Sequence, residues 1–214
     1  MQNSGGIIKV ITTSNNKKIE VNNMIKNIIF DIGGVMFDDS TQNISNILNI
    51  DASELCKKVY GKSFVDCVLG NQEVSDYIET FKNDSDYEAI KYILGKDNLH
   101  ISYPLMQDNF DYISQLKDKG YNLYILSNIA KESYEHVKST IDIDKVFKGG
   151  VYSYQEKLLK PDRKIYELIV NRYNLNKDET MFFDDKQKNI DAACEFGLKG
   201  VLFRTIEDIE NNLK

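Results

Sequence analysis

The sequence predicts an α/β fold: a Rossmann-like parallel sheet with helices on both faces and a small helical insertion after the first core strand. Three observations carry this. From residue 27 onward β-rich runs alternate with helical patterns, the strongest runs are continuously apolar, and about 90 residues without a strong strand signal separate the first two.

The strands are read in order as Asn27 to Asp31 (NIIFD), Tyr121 to Ser127 (YNLYILS), a weaker one at Val151 to Ser153, Thr180 to Asp184 (TMFFD) and Gly200 to Phe203 (GVLF). Continuous apolar runs are what strands buried on both faces require. Between them, Gln107 to Lys119, Pro161 to Tyr173 and Lys186 to Phe196 carry apolar residues three and four apart, the helical spacing. Pro161 is expected to start its helix, and Gly120 and Gly197 to end theirs.

The insertion is placed between Ser40 and His100, with helices near Ile44 to Leu48, Ala52 to Val59, Ser75 to Phe81 and Asp86 to Leu94. The core then comprises residues 25–39 and 101–214, and the insertion residues 40–100. Residues 1–24 form an N-terminal extension. Alternation of apolar and polar residues around Ser14-Asn15-Asn16-Lys17 suggests a β-hairpin from Ile7 to Val21, read as a solvent-facing appendage rather than a dimer contact.

Composition narrows the function. With 214 residues, 42% of them hydrophobic, the chain can bury one sizeable core. A net charge of -6 argues against nucleic acid as a partner, because a polyanion needs a basic face. No run approaches a membrane span, so a membrane partner is not expected. Cys56, Cys67 and Cys194 are odd in number and lack CxxC spacing, which suggests neither a disulfide framework nor a zinc site and fits a reduced, cytoplasmic setting. A monomer or homodimer is expected.

In an open parallel sheet ligands bind beyond the carboxyl ends of the strands. Asp31 closes the first strand, Ser127 and Asn128 the second, and Asp184 with Asp185 the fourth, while Lys160 precedes the helix that leads to that strand. Singly, each has an ordinary reading as a helix-capping or solvated residue. Together they match phosphoryl transfer, in which a carboxylate nucleophile meets a phosphate dianion and a divalent cation and a lysine must offset the repulsion. Asp31, Asp184 and Asp185 offer hard oxygen ligands in the small number that suits Mg2+. Asp31 can then act as nucleophile, forming an aspartyl-phosphate.

The segments IIFDIGGV, LSN, KPxxxIY and FFDD, in this order and spacing, resemble the four motifs of the haloacid dehalogenase-like superfamily over residues 27 to 205. The resemblance implies Asp31 as nucleophile, Ser127 as phosphoryl-binding residue, Lys160 as stabiliser of the intermediate, and Asp31, the Gly33 carbonyl, Asp184 and Asp185 around Mg2+. Asn128 and Asn189 follow motif positions as well; Asn128 is read with Ser127 and Lys160 as substrate-binding, and support of the loops is an equal reading for both asparagines. The insertion resembles a small helical cap over the active site, which implies a small soluble phosphate ester as substrate.

One departure stands out. Most phosphatases of this superfamily carry a second aspartate two residues after the nucleophile as general acid and base, and here that position is Gly33. Three explanations follow. The leaving group is intrinsically good, as in a sugar 1-phosphate, in keeping with a glucose-1-phosphatase-like subgroup that this chain resembles. Alternatively, Asp38 or a cap residue supplies the proton, Asp38 being equally readable as a turn residue. The third is another function, either a metal-independent 2-haloacid dehalogenase, against which Asp184 and Asp185 argue, or a non-catalytic binding protein. His100 and His136 are assigned no role. Tyr60, Phe64 and Tyr77 are expected to be core, with the substrate pocket as the alternative.

Overall fold

The computed structural model describes residues 7–9, 20–22 and 24–213. Near the N-terminus β1 (Ile7–Lys9) pairs antiparallel with β2 (Glu20–Asn22), Ile8 opposite Val21. The expected turn between them lies outside the described residues.

The main sheet has five parallel strands, β3 (Asn27–Phe30), β4 (Asn122–Ser127), β5 (Gly149–Tyr152), β6 (Thr180–Asp184) and β7 (Lys199–Leu202), in the order β5-β4-β3-β6-β7. Side chains alternate between faces along each strand. Ile28, Phe30, Leu123, Ile125, Met181 and Phe183 therefore enter one apolar cluster. Ile29, Tyr124, Leu126 and Phe182 enter the other, with helices Arg163–Arg172 and Gln187–Phe196 packed over them. Both faces of β3, β4 and β6 are buried, which is why IIF, LYIL and MFF read as apolar runs; each fully buried side chain of this size contributes about 1.5–3 kcal/mol.

The chain runs from β3 outward through β4 to β5, then returns to the other side of β3 as β6 and continues to β7. The order reverses between β3 and β6, and a crevice opens at the carboxyl ends of such a pair. Phe30 lies opposite Phe183, so Asp31 and Asp184 emerge side by side at that crevice.

Boundaries differ from expectation where local chemistry overrides periodicity. The helix expected from Pro161 begins at Arg163, because the Asp162 carboxylate caps it there by accepting the Lys164 amide. The weak strand starts two residues earlier and ends one earlier than expected, at Gly149–Tyr152, where Gly149 leaves room for the ring of Tyr173 and Gly150 for that of Tyr152. Helix Lys131–Thr140, which the periodicity did not single out, covers the crossover from β4 to β5, with Val137 its buried residue.

Between Thr41 and Ser102 the chain is helical and builds its own apolar cluster around Ile44, Val59, Cys67, Tyr77 and Ile90, with Ala130 joining from the sheet side. The chain leaves and re-enters the sheet region at one place. Asp38 donates its amide to the Pro104 carbonyl (2.9 Å), Met106 donates to Met36 (2.8 Å), and Phe37 bridges to Leu105. Among the described residues no helix is long and apolar enough to cross a membrane.

Candidate active site

Lys160 is the electrostatic centre of the crevice. Its fully buried ammonium has three donors, and three acceptors surround it: Asp31 Oδ2 at 2.8 Å, Asp184 Oδ2 at 2.6 Å and the Leu126 carbonyl at 2.8 Å. Asn128 fixes the backbone that carries it, accepting from the Lys160 amide (2.8 Å) and donating to the Lys160 carbonyl (2.9 Å). Both atoms of the Asn128 amide are thus committed to placing Lys160. Asn189 plays the same part for Asp184, donating to both carboxylate oxygens at 2.9 and 3.0 Å.

The three aspartates differ electrostatically. Burial pushes Asp31 up to about 7, Lys160 opposing and the neighbouring Asp184 adding to the shift. Asp184 is also opposed by burial, but Lys160, the Lys186 amide and Asn189 outweigh it and hold its carboxyl below the usual range. Burial likewise raises Asp185. The negative charge that pairs with Lys160 therefore resides first on Asp184.

Oxygens of Asp31, Asp184 and Asp185 lie within 4.8 Å of one another. Asp185 Oδ1 is buried without a hydrogen-bond partner, its nearest cation being Lys186 Nζ at 3.5 Å, beyond hydrogen-bonding geometry. A buried carboxylate oxygen left in this state is costly unless a cation meets it. Three hard oxygen donors with one of them unsatisfied fit a small divalent ion such as Mg2+.

Gly34 makes this approach possible. It has φ 69°, and a Cβ there would stand 2.5 Å from the Asp185 carboxylate. Gly34→Ala is expected to cost about 1–3 kcal/mol through the left-handed backbone alone and to displace Asp185 as well, seen as a lower Tm in thermal unfolding.

These groups open onto a cavity of about 1130 Å3, floored by Asp31, Gly33, Lys160 and Asp185. Ser127 and Asp184 are buried behind that floor, while Asn128 lines it. Tyr60 and Phe64, expected in the core, both line the cavity, Tyr60 being among the exposed large hydrophobics and Phe64 also packing against the apolar cluster. Tyr77 is core, its hydroxyl donating to the Val59 carbonyl at 2.7 Å. Asp38 is a turn residue, its carboxylate accepting the Ser40 amide at 2.9 Å. His136 packs edge-on against Phe37 and its ring nitrogen meets the Tyr103 carbonyl at 3.1 Å, while His100 is exposed. Three residues that motif reading passed over, Asp39, Tyr103 and Lys186, also line the cavity.

A family model for haloacid dehalogenase-like hydrolases matches residues 25–197, and the chain belongs to this family of hydrolases. It is 23% identical over 193 residues to a phosphorylated carbohydrates phosphatase of Thermotoga maritima, covering 81% of this chain and 82% of that one. It is also 29% identical over 89 residues to a sesquiterpene phosphatase of Aspergillus oryzae, covering 42% of this chain and 45% of that protein. A stretch of 109 residues is 28% identical to an (S)-2-haloacid dehalogenase of Burkholderia cepacia, covering 50% of this chain and 47% of the relative. The chain thus spans about half the length of these last two. Among solved structures, a HAD family enzyme of Bacteroides thetaiotaomicron in complex with magnesium and inorganic phosphate shares the fold, with TM-score 0.66, 19% identity and coverage of 89% of this chain and 100% of that one.

Proposed function

We propose that this chain is a magnesium-dependent phosphatase that hydrolyses a small phosphomonoester, with sugar phosphates the favoured class, through an aspartyl-phosphate on Asp31. The carrying observation is the Asp31 carboxylate at the cavity floor, 2.8 Å from the buried Lys160 ammonium and grouped with Asp184 and Asp185. The phosphorylated carbohydrates phosphatase among the relatives supports the substrate class. A sugar 1-phosphate is the sugar ester whose leaving oxygen needs the least proton assistance. The three free cysteines suit a cytoplasmic setting.

In this reading Asp31 attacks phosphorus, and Lys160 neutralises charge on the phosphoryl oxygens. Asn128 keeps the ammonium in place, Ser127 supplies a hydroxyl to the phosphoryl group, and the helical insertion acts as a cap that limits water in the cavity. Asp31, Asp184, Asp185 and the Gly33 carbonyl would hold Mg2+, which would supply positive charge against the phosphate dianion. Dehalogenation is disfavoured by the same carboxylates, since Asp184 and Asp185 would repel a 2-haloacid.

With Mg2+ the protein is expected to release phosphate from small esters, to lose that activity in EDTA, and to release no chloride from 2-chloropropionate. Full phosphatase activity in chelator contradicts the metal assignment, and chloride release without metal favours the dehalogenase reading. Because Asp31 and Asp185 hold their protons to higher pH than ordinary carboxyls, metal must displace protons at acid pH. The rise in Tm on adding Mg2+ should accordingly be larger at pH 8 than at pH 5. An equal or reversed effect contradicts these ligands.

A further inference from the structure

Cleaving a phosphate ester expels an alkoxide, which needs a proton as the P–O bond breaks. We propose that Asp39, in its protonated form, transfers that proton, its carboxyl standing in the space that Gly33 leaves open; the inference rests on the phosphatase reading.

Several charged groups near Gly33 are committed elsewhere. Lys160 spends its three donors on Asp31, Asp184 and Leu126. Asp185 belongs to the carboxylate cluster, and Asp38 is tied to the Ser40 amide. Asp39 is left. A Cβ placed on Gly33 would lie 2.7 Å from Asp39 Oδ2, 3.2 Å from its Cγ and 3.5 Å from the Tyr103 hydroxyl. The Asp39 carboxyl therefore occupies the position that a side chain two residues after Asp31 would fill. Gly33 is outside the left-handed region that Gly34 occupies, so its backbone does not demand glycine; the space does.

Asp39 is also held in place. Its Oδ2 meets Lys186 Nζ at 3.3 Å, and that ammonium also faces Asp185 at 3.5 Å. On one side the chain is anchored by the Asp38 amide on Pro104, and on the other by Ser40, whose hydroxyl accepts the Asn43 amide as an N-cap at 3.1 Å. A carboxyl between two such anchors is positioned rather than free to wander.

The step balances. As Asp31 bonds to phosphorus, Asp39 that has taken up a proton gives it to the leaving oxygen, and the alcohol departs. Asp39, now a carboxylate beside Lys186, takes a proton from the water that next attacks phosphorus. The Asp31–phosphorus bond breaks, inorganic phosphate leaves, and both carboxyl groups return to their starting states.

The test compares a poor and a good leaving group in Asp39→Asn, an isosteric change at a half-exposed side chain. Glucose 6-phosphate expels a primary alkoxide, whereas p-nitrophenyl phosphate expels a stable phenolate. Loss of a general acid should lower kcat/KM for the first about 100-fold or more beyond any loss on the second. The pair Gly33→Asp with Asp39→Gly returns a carboxyl to the same space from the other residue. It should recover much of the glucose 6-phosphate activity that Asp39→Gly alone loses, and this comparison stands even if the asparagine variant folds poorly. Equal losses on both esters, or no loss on either, overturn the role of Asp39. Failure of the double substitution to improve on Asp39→Gly overturns the shared-space argument. If the unsubstituted protein hydrolyses neither ester with Mg2+, the phosphatase reading itself fails and this inference falls with it.

Discussion

Replacing Asp31 by asparagine is expected to lower kcat by about 10,000-fold or more on every ester, because the change removes the nucleophile while keeping the side chain's shape. Circular dichroism should show an intact fold. Burial already pushes the Asp31 carboxyl toward its neutral form, and a neutral amide suits the same surroundings. The sign of the pH dependence follows. An unfolded aspartate ionises near 3.8, while the folded Asp31 keeps its proton to about 7. Across that interval the folded state binds the extra proton, so the stability Asp31 contributes falls as pH rises. In metal-free protein the stability difference between the asparagine variant and the parent should therefore shift in the variant's favour between about pH 4 and pH 7, as read by urea titration. A variant that keeps turnover removes Asp31 from the chemistry.

Lys160→Met should produce the second large effect. It leaves Asp184 and, above neutral pH, Asp31 without the ammonium that both face at 2.6 and 2.8 Å. Removing one partner of a buried ion pair costs about 3–5 kcal/mol, because the remaining charge stays buried and uncompensated. Urea unfolding at pH 8 is expected to show a destabilisation of that order together with loss of phosphatase activity. Adding Asp184→Asn to the methionine variant should recover part of the stability and none of the activity. A methionine variant as stable as the parent would mean that the ammonium contributes little to the fold, and the triad's electrostatics would need another account.

Much of this architecture is legible in the sequence, for identifiable reasons. The runs IIF in β3 and MFF in β6 are apolar because both faces of these strands are covered, and the polar residues that end or directly follow such runs stand out as site candidates. Asp31, Asp184 and Asp185 could be nominated in this way, and Lys160 from its place before the helix that leads to β6; the structure brings their charged groups together. Helix Lys131–Thr140 was missed because KESYEHVKST buries only Val137 and shows little apolar periodicity. Asp39 and Lys186 were missed for another reason: they are 147 residues apart, and only the return of β6 beside β3 makes them neighbours. Their pairing has no local signature. Choosing between Asp38 and Asp39 likewise depends on which of two adjacent carboxylates the turn at Ser40 consumes.

The most direct test of the central claim is to look for the phosphoryl group on the protein. A reaction with a phosphate ester and Mg2+, quenched in acid during turnover and digested, should yield the peptide containing Asp31 with the added mass of one phosphoryl group, fragmenting to place it on Asp31. The Asp31→Asn protein treated in the same way should lack it. Continued hydrolysis with no phosphorylated peptide at any time, or with the phosphoryl group on another residue, would contradict Asp31 as the nucleophile.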